Sequence, residues 1–300
     1  MKKIKLLKEV WKASRPLSLT LALYSTTLGM AIAHLESKLF SENLTFDLKL
    51  IFLVTLAGLF VQTGTNFIND YFECEYKNLH FVDGQKYKFL GKKRHAFDIL
   101  IFLLGILSFL ITALMGLYLI SITTTKLFLI GILGLIGGYA YTGEPIVYKK
   151  RGLGTPLSFI LMGPLMVLGS YLVFSNYYSW RPIVLGLPIS LLIPVLMLSN
   201  ELRDYKRDSK LKIKTMTVRI GFEKAKLIYL ILLISAYSLT ILFVILNLYP
   251  LSSLLTLITI PLAYKAYQNV AQAEKIGVPI TNKLHLSFGL IQLLSFLFIK

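Results

Sequence analysis

Two short groups of acids and amides carry most of the chemistry this chain can offer, and acids are scarce in it, with 15 Asp and Glu among 300 residues. One group reads Asn66-Phe67-Ile68-Asn69-Asp70-Tyr71-Phe72-Glu73, the other Asn200-Glu201-Leu202-Arg203-Asp204-Tyr205-Lys206-Arg207-Asp208, and both begin Asn-x3-Asp. Residues three and four apart share a helix face. Asn66, Asp70 and Glu73 therefore line up, as do Asn200, Asp204 and Asp208. Oxygen-only sets of this kind suit a hard divalent cation. Mg²⁺ usually takes one or two carboxylates and completes its shell with substrate phosphate. Two such sets facing each other would hold a diphosphate between metal ions, with nearby Lys and Arg on its remaining oxygens.

The elements that must position these groups are membrane helices. The composition is 55% hydrophobic and 16% charged, with a mean hydropathy of +0.68, whereas an ordinary soluble domain is about 25% charged. Disorder, a collagen-like fibre and a disulfide scaffold are excluded, and a soluble globular enzyme is disfavoured. The only cysteine, Cys74, allows no internal disulfide and no multi-cysteine metal site. The four histidines, His34, His80, His95 and His285, show no metal-binding spacing. A bilayer span needs roughly 20 mostly apolar residues. The chain reads as an all-α polytopic membrane protein, one domain over 1–300, with about nine spans: 16–34, 50–71, 97–120, 127–142, 154–175, 182–200, 224–247, 251–268 and 283–299. The runs are continuously apolar rather than alternating, so strands are not expected. The first apolar run is long enough to span and reads as a helix rather than a cleaved leader.

Charge sets the orientation. With the N-terminus inside, 27 of the 32 basic residues fall on the inner side and 5 on the other, which the positive-inside rule reads as N-terminus in and C-terminus out. Both acidic groups then close even-numbered spans on the cytoplasmic face of the cell's inner membrane. Acids at a helix C-terminus meet the negative end of the dipole, and ionisable groups at membrane depth are costly and functional by default. A bound cation offsets both. The same carboxylates could mark the ion path of a cation-coupled transporter, but that reading expects acids near the bilayer midplane, not at helix ends on one side. No basic tail or aromatic-rich polar module points to nucleic acid. The longest polar inner stretch, 78–94, is a basic loop that could bind anionic headgroups.

Around these residues the chain resembles the UbiA superfamily of intramembrane aromatic prenyltransferases. The likeness runs from Arg15-Pro16 through Asn66 to Glu73, Tyr139-Ala140-Tyr141-Thr142-Gly143-Glu144-Pro145, Arg151-Gly152-Leu153-Gly154 and Asn200 to Asp208, and on to Lys214-Thr215-Met216-Thr217-Val218-Arg219-Ile220-Gly221. Within it the pattern is most similar to the 1,4-dihydroxy-2-naphthoate polyprenyltransferases of menaquinone synthesis, with 4-hydroxybenzoate or homogentisate as alternative acceptors. The resemblance implies nine helices around a central cavity, with the stretch 78–94 as a cap over the site. It implies a polyprenyl diphosphate and an aromatic acceptor as substrates, and Mg²⁺ held by Asn66, Asp70, Glu73, Asp204 and Asp208. Arg15, Lys150, Arg151, Arg203, Lys214 and Tyr139 would contact substrate. Tyr141, with Asp70 and Asp204, would act at the reacting centre, its ring facing an allylic cation. Lys149 stands beside Lys150 and Arg151, and the three divide between orientation and diphosphate binding. The sequence departs from the family where Glu73 replaces the usual Asp and where Ile213 takes an expected Lys position.

Overall fold

The computed structural model describes residues 2–40, 43–73 and 85–296. In chain order the helices are α1 (Lys2–Ala13), α2 (Pro16–Leu35), α3 (Leu44–Phe72), α4 (Ala96–Ile122), α5 (Leu127–Ala140), α6 (Gly154–Ile160), α7 (Met166–Ser175), α8 (Arg181–Leu185), α9 (Leu187–Ser190), α10 (Leu192–Lys210), α11 (Met216–Ile220), α12 (Phe222–Ile245), α13 (Ile260–Ala271) and α14 (Gly277–Phe296). Within the described residues each predicted span falls largely on helical structure, and residues 297–299 of the last one lie outside them. Among the described residues five helical segments are long and apolar enough to cross a membrane: Pro16–Leu35, Leu44–Phe72, Ala96–Ile122, Gly154–Ser175 and Phe222–Ile245.

Proline explains why others differ from the continuous helices expected. Residues 182–200 form α8, α9 and the start of α10, because Pro182 and Pro188 each open a new helix at its first turn, where the missing N–H costs little. Residues 251–259 wind as a 3₁₀ helix, and α13 begins afresh with Pro261 in its first turn. The segment Gly154–Ser175 stays continuous but widens to a π turn over Leu161–Leu165, which contains Pro164.

Helix packing follows the small residues. A Cβ on Gly29 of α2 would lie 2.4 Å from the Val167 carbonyl of α7, so the two backbones meet directly, and Ser170 donates to the Thr26 carbonyl at 2.6 Å. The largest core joins α2, α7, α10, α12 and α14 around Leu28, Tyr171, Leu198, Tyr229 and Phe288. α4 turns Ile101, Phe102, Gly105 and Ser108 inward and leaves Leu103, Leu107, Leu110, Leu114 and Leu117 on the outer surface, as a helix facing lipid does.

A two-stranded hairpin, β1 (Lys86–Phe89) and β2 (Lys92–His95), lies between α3 and α4, outside the apolar runs where no strands were expected. Its strands pair Lys86 with His95 and Phe89 with Lys92. Leu90 and Gly91 both carry positive φ, the geometry of a tight hairpin turn. Phe89 packs on Tyr71 and Phe102, with ring centroids 6.1 and 5.5 Å apart, and β2 runs into α4 through a His95–Asp98 capping box. Of the stretch 78–94 proposed as a cap, 78–84 lies outside the described residues. The part from 86 onward rests on the C-terminal end of α3, beside the first acidic group.

Candidate active site

The C-terminal ends of α3 and α10 carry the two acidic groups. Asp70 lies in the last turn of α3 and Glu73 caps it, while Asp204 and Asp208 occupy the last two turns of α10. Each carboxylate is met by a cation, which offsets the unfavourable end of the helix dipole. Arg15 reaches Asp70 at 3.1 Å and Glu73 at 3.9 Å. Lys149 pairs with Glu73. Arg203 chelates Asp204 at 2.8 and 2.7 Å, and Arg207 bridges Asp204 at 3.0 Å and Asp208 at 2.8 Å.

Asn69 completes the first group. Oriented by its neighbours, its oxygen accepts from both terminal nitrogens of Arg15 at 2.7 and 2.6 Å, and its nitrogen donates to Glu73 at 3.1 Å. Asn66 holds the base of this network, donating to the Ser14 carbonyl at 2.7 Å and the Ser18 hydroxyl at 2.9 Å.

Two of these cations come from strained backbone. Arg15, at the joint of α1 and α2, sits at φ 50°, ψ 64°. Val147, which launches the 3₁₀ turn Tyr148–Arg151 bearing Lys149, sits at φ 45°, ψ 53°. Positive φ is rare outside glycine and a true outlier for a β-branched residue, and such strain clusters where function requires it. Gly152 closes the turn at φ 81°, and a Cβ there would strike the Arg219 side chain at 2.3 Å.

Lys149 stands at the centre of the site. Its ammonium lies 5.5 Å from the Tyr141 ring centroid. Burial works against its charge, but the Tyr141 hydroxyl and the Glu73 carboxylate more than reverse this and hold its pKa above the ordinary lysine value. Burial also works against the Asp204 carboxylate, yet hydrogen bonding and charge from Arg203 and then Arg207 outweigh it and hold Asp204 below the usual range. At Asp208 burial wins: Arg207 offsets it in part, Asp204 adds repulsion, and the carboxyl is pushed up. Lys149 contributes at both aspartates and Glu73 at Arg207, so the two acidic groups share one electrostatic field.

A cavity of about 530 Å³ opens between the same helix ends, and Asn66 and Asn200, the first residues of the two Asn-x3-Asp groups, both line it. Arg15, Asn69, Tyr141 and Tyr148 complete its polar end. Val61, Gly134, Leu161 and Met166 also line a second compartment of about 330 Å³, which is walled mainly by apolar side chains and glycines of α3, α4, α5, α7 and the π turn. The second compartment's few hydroxyls are already bonded: Thr26 and Thr112 to carbonyls of their own helices and Ser170 to Thr26.

The other sequence-predicted residues divide. Tyr141 and Arg203 sit with the cluster. Tyr139 packs its ring against Phe72 and donates to the Glu144 carbonyl at 3.3 Å. Lys150 is half-buried on the turn that bears Lys149. Arg151 turns outward to the Pro145 carbonyl at 3.2 Å, and Lys214 is exposed. Two residues join that the sequence did not single out. Asn69 falls three residues from Asn66, so the helical spacing that grouped Asn66 with Asp70 could have found it. Glu201 is buried on α10, accepting from the Thr155 hydroxyl at 2.9 Å and the Thr217 amide at 2.8 Å. It ties the starts of α6 and α11 to the helix that bears Asp204.

The donor set fits Mg²⁺ in kind, being carboxylates and carboxamides throughout. Among the described residues no three acids converge on one point, because each carboxylate faces Arg or Lys.

The comparisons with known proteins agree with this geometry. Over 219 residues the chain is 29% identical to the 1,4-dihydroxy-2-naphthoate octaprenyltransferase of Bacillus subtilis (strain 168), covering 72% of this chain and 67% of the relative. It is 28% identical over 300 residues to the UbiA prenyltransferase domain-containing protein 1 homolog of Drosophila melanogaster, covering 96% and 79%. Among solved structures, a UbiA homolog from Archaeoglobus fulgidus bound to DMAPP and Mg²⁺ shares the fold at TM-score 0.58 and 16% identity, over 94% of this chain and 97% of that one. An apo UbiA homolog from Aeropyrum pernix K1 does so at TM-score 0.63 and 14% identity, over 90% and 96%. The UbiA prenyltransferase family matches residues 22–276, and with five apolar spans in the fold the chain belongs to that family and is an integral membrane prenyltransferase.

Proposed function

We propose that the chain transfers a polyprenyl group from an allylic diphosphate to an aromatic acceptor, with 1,4-dihydroxy-2-naphthoate as that acceptor in menaquinone biosynthesis, and that the transfer depends on Mg²⁺. The observation that carries the reading is the shared cavity: Asn66 and Asn200 line one space whose far side continues into an apolar compartment. A substrate with a highly charged head and a long apolar tail matches that layout. The acceptor follows from the Bacillus subtilis relative and from the Asn69-Asp70-Tyr71-Phe72 and Arg203-Asp204 stretches. Mg²⁺ follows from the oxygen donor set and from the Archaeoglobus fulgidus homolog bound to it. The transporter reading gives way to the family membership.

Asn66, Asp70, Glu73, Asp204 and Asp208 would hold the metal. When bound, Mg²⁺ supplies positive charge to the diphosphate, chiefly as that group departs. The chain's own residues do the rest. Arg15, Lys149 and Arg203 give up part of their contact with carboxylates and meet diphosphate oxygens, where negative charge grows as the allylic C–O bond breaks. Tyr141 presents its ring to the allylic carbon. The apolar compartment takes the isoprenoid and excludes water, so the electron-rich acceptor carbon captures the allylic cation. That carbon forms the new C–C bond, releases CO₂ in the naphthoate case or a proton in simple prenylation, and leaves free diphosphate. The site faces the cytoplasm, with the N-terminus inside and the C-terminus outside the inner membrane.

The test is an acceptor panel. Purified protein, a polyprenyl diphosphate and Mg²⁺ are incubated with dihydroxynaphthoate, 4-hydroxybenzoate or homogentisate, and the products are read by mass spectrometry. Prenylated naphthol formed with loss of CO₂ supports the reading. Product only from another acid moves the acceptor, and no product with any of them contradicts the proposal.

A further inference from the structure

Helix α1 has two apolar stripes, and the protein covers one of them. Val10 and Ala13 pack on Phe67 of α3 and Ile101 of α4. Ile4, Leu7 and Trp11, on one face by their spacing, form the other and stand 74%, 68% and 61% exposed. Exposed Lys5, Lys8 and Lys12 border that stripe, and α1 as a whole carries five lysines against a single glutamate, Glu9. Three residues after α1 ends, the spanning helix α2 begins, and its Leu17 is itself 59% exposed. The bare stripe thus runs straight into a surface that faces acyl chains. A short helix with an apolar face, a Trp and flanking lysines, set at the end of a span, has the chemistry of the membrane–water boundary.

We propose that α1 lies on the bilayer surface, with Ile4, Leu7 and Trp11 below the headgroups and its lysines on anionic lipids, and that this docking sets the rim of the catalytic cavity. Trp11 and Lys12 line that cavity together with Val278, Pro279 and Asn282 of α14. Arg15, the left-handed joint between α1 and α2, carries the guanidinium that meets Asp70. Seating α1 on lipid therefore fixes both the rim and the direction of Arg15. The docking stands on α1 alone, while the coupling to turnover rests on the reading of the cavity as the transfer site.

The chain has 2 Trp, so Trp180→Phe leaves Trp11 as the only reporter. This variant is placed in vesicles of phosphatidylcholine alone or mixed with phosphatidylglycerol, each with acyl-chain-brominated lipid, and Trp11 emission is read. Quenching that deepens with phosphatidylglycerol is expected. Lys5→Gln with Lys8→Gln should cancel that increment, since each lysine near an anionic surface shifts the docked ratio by roughly fivefold. Trp11 emission that bromolipid does not quench overturns the docking, as does an anionic-lipid increment that survives loss of both lysines. Turnover is then compared in the same vesicles without bromolipid. Stimulation by phosphatidylglycerol that the lysine variant lacks supports control of the rim, and turnover indifferent to lipid charge overturns it while leaving the fluorescence result intact. A protein inactive with every acceptor still gives the fluorescence answer, which separates failure of the docking from failure of the proposed reaction.

Discussion

Replacing Lys149 by Gln removes one ammonium from the point where the two acidic groups meet. In the resting protein its partner Glu73 is not abandoned: Arg15 stands 3.9 Å away and Asn69 donates to it at 3.1 Å. Breaking a buried ion pair outright costs about 3–5 kcal/mol because a charge is left uncompensated. Here the remaining partners hold the loss nearer the ordinary value of one hydrogen bond, about 1 kcal/mol. The enzyme should stay folded. Catalysis should suffer more. A hydrogen bond to a charged group contributes about 1.5–3 kcal/mol, and at about 1.4 kcal/mol per decade the loss in kcat/KM for the prenyl diphosphate is roughly 10- to 150-fold. Lys149→Arg should recover part of this, since it keeps the charge on a fork of different shape. Arg151→Gln, two residues on, should cost no more than about twofold, because Arg151 is exposed and bonds the Pro145 carbonyl. Initial rates by product mass spectrometry at saturating acceptor and Mg²⁺ give the values, after melting curves establish that each variant is folded. Lys149→Gln within about threefold of the unaltered enzyme, or Arg151→Gln losing as much as Lys149→Gln, would refute this reasoning.

Three further outcomes follow from the packing. Glu201→Leu leaves the Thr155 hydroxyl and the Thr217 amide as buried orphans, and at about 1–3 kcal/mol each it should lower the thermal midpoint in detergent far more than Glu201→Gln, which keeps one acceptor; equal midpoints would argue against the clamp. Gly134 lines both compartments and has nothing within 4 Å of an added Cβ. Gly134→Phe should therefore narrow the junction and shift preference toward shorter prenyl diphosphates in a two-substrate competition, with an unchanged preference counting against the tail path. Asn282 lines the main cavity with its Oδ1 buried and unpartnered among the described residues. Asn282→Leu should raise stability slightly, by about 1 kcal/mol, and raise KM for a hydroxylated acceptor; a lower melting point with unchanged acceptor KM would contradict this.

Much of the architecture was legible because lipid imposes a simple rule on sequence. Long apolar runs such as 97–120 and 224–247 can be little other than helices, and the observed helix ends fall within two residues of those expected. Proline-rich runs were harder. Pro182, Pro188 and Pro261 allow a helix to start but not to continue through them, so the expected continuous spans became shorter pieces. The hairpin 86–95 was hidden because β1 alternates Lys with Tyr or Phe and β2 is Lys, Arg and His throughout, patterns hydropathy does not register, and its turn rests on a single glycine. At the site, helical spacing put Asn66, Asp70 and Glu73 on one face of α3, and Arg15 meets Asp70 and Glu73 there. The cation that joins the groups could not be chosen in the same way. Lys149, Lys150 and Arg151 are adjacent, and which one points inward depends on the left-handed φ of Val147, a tertiary constraint with no periodic signature. Likewise the exposed stripe of α1 reads in sequence as basic residues before a span, and only its packing on Phe67 and Ile101 shows that a second apolar face is left over.

The central claim is that both acidic groups act together on one diphosphate. It is tested most directly by Mg²⁺ titration of diphosphate release in Asp70→Asn, in Asp204→Asn and in the double variant, each folded by melting curve. Each single variant should lose on the order of a hundredfold or more in Mg²⁺-dependent turnover, and the double variant little beyond either one, because residues acting as a unit are non-additive. Turnover that persists in either single variant, or that continues in excess chelator with the unaltered protein, would contradict the account.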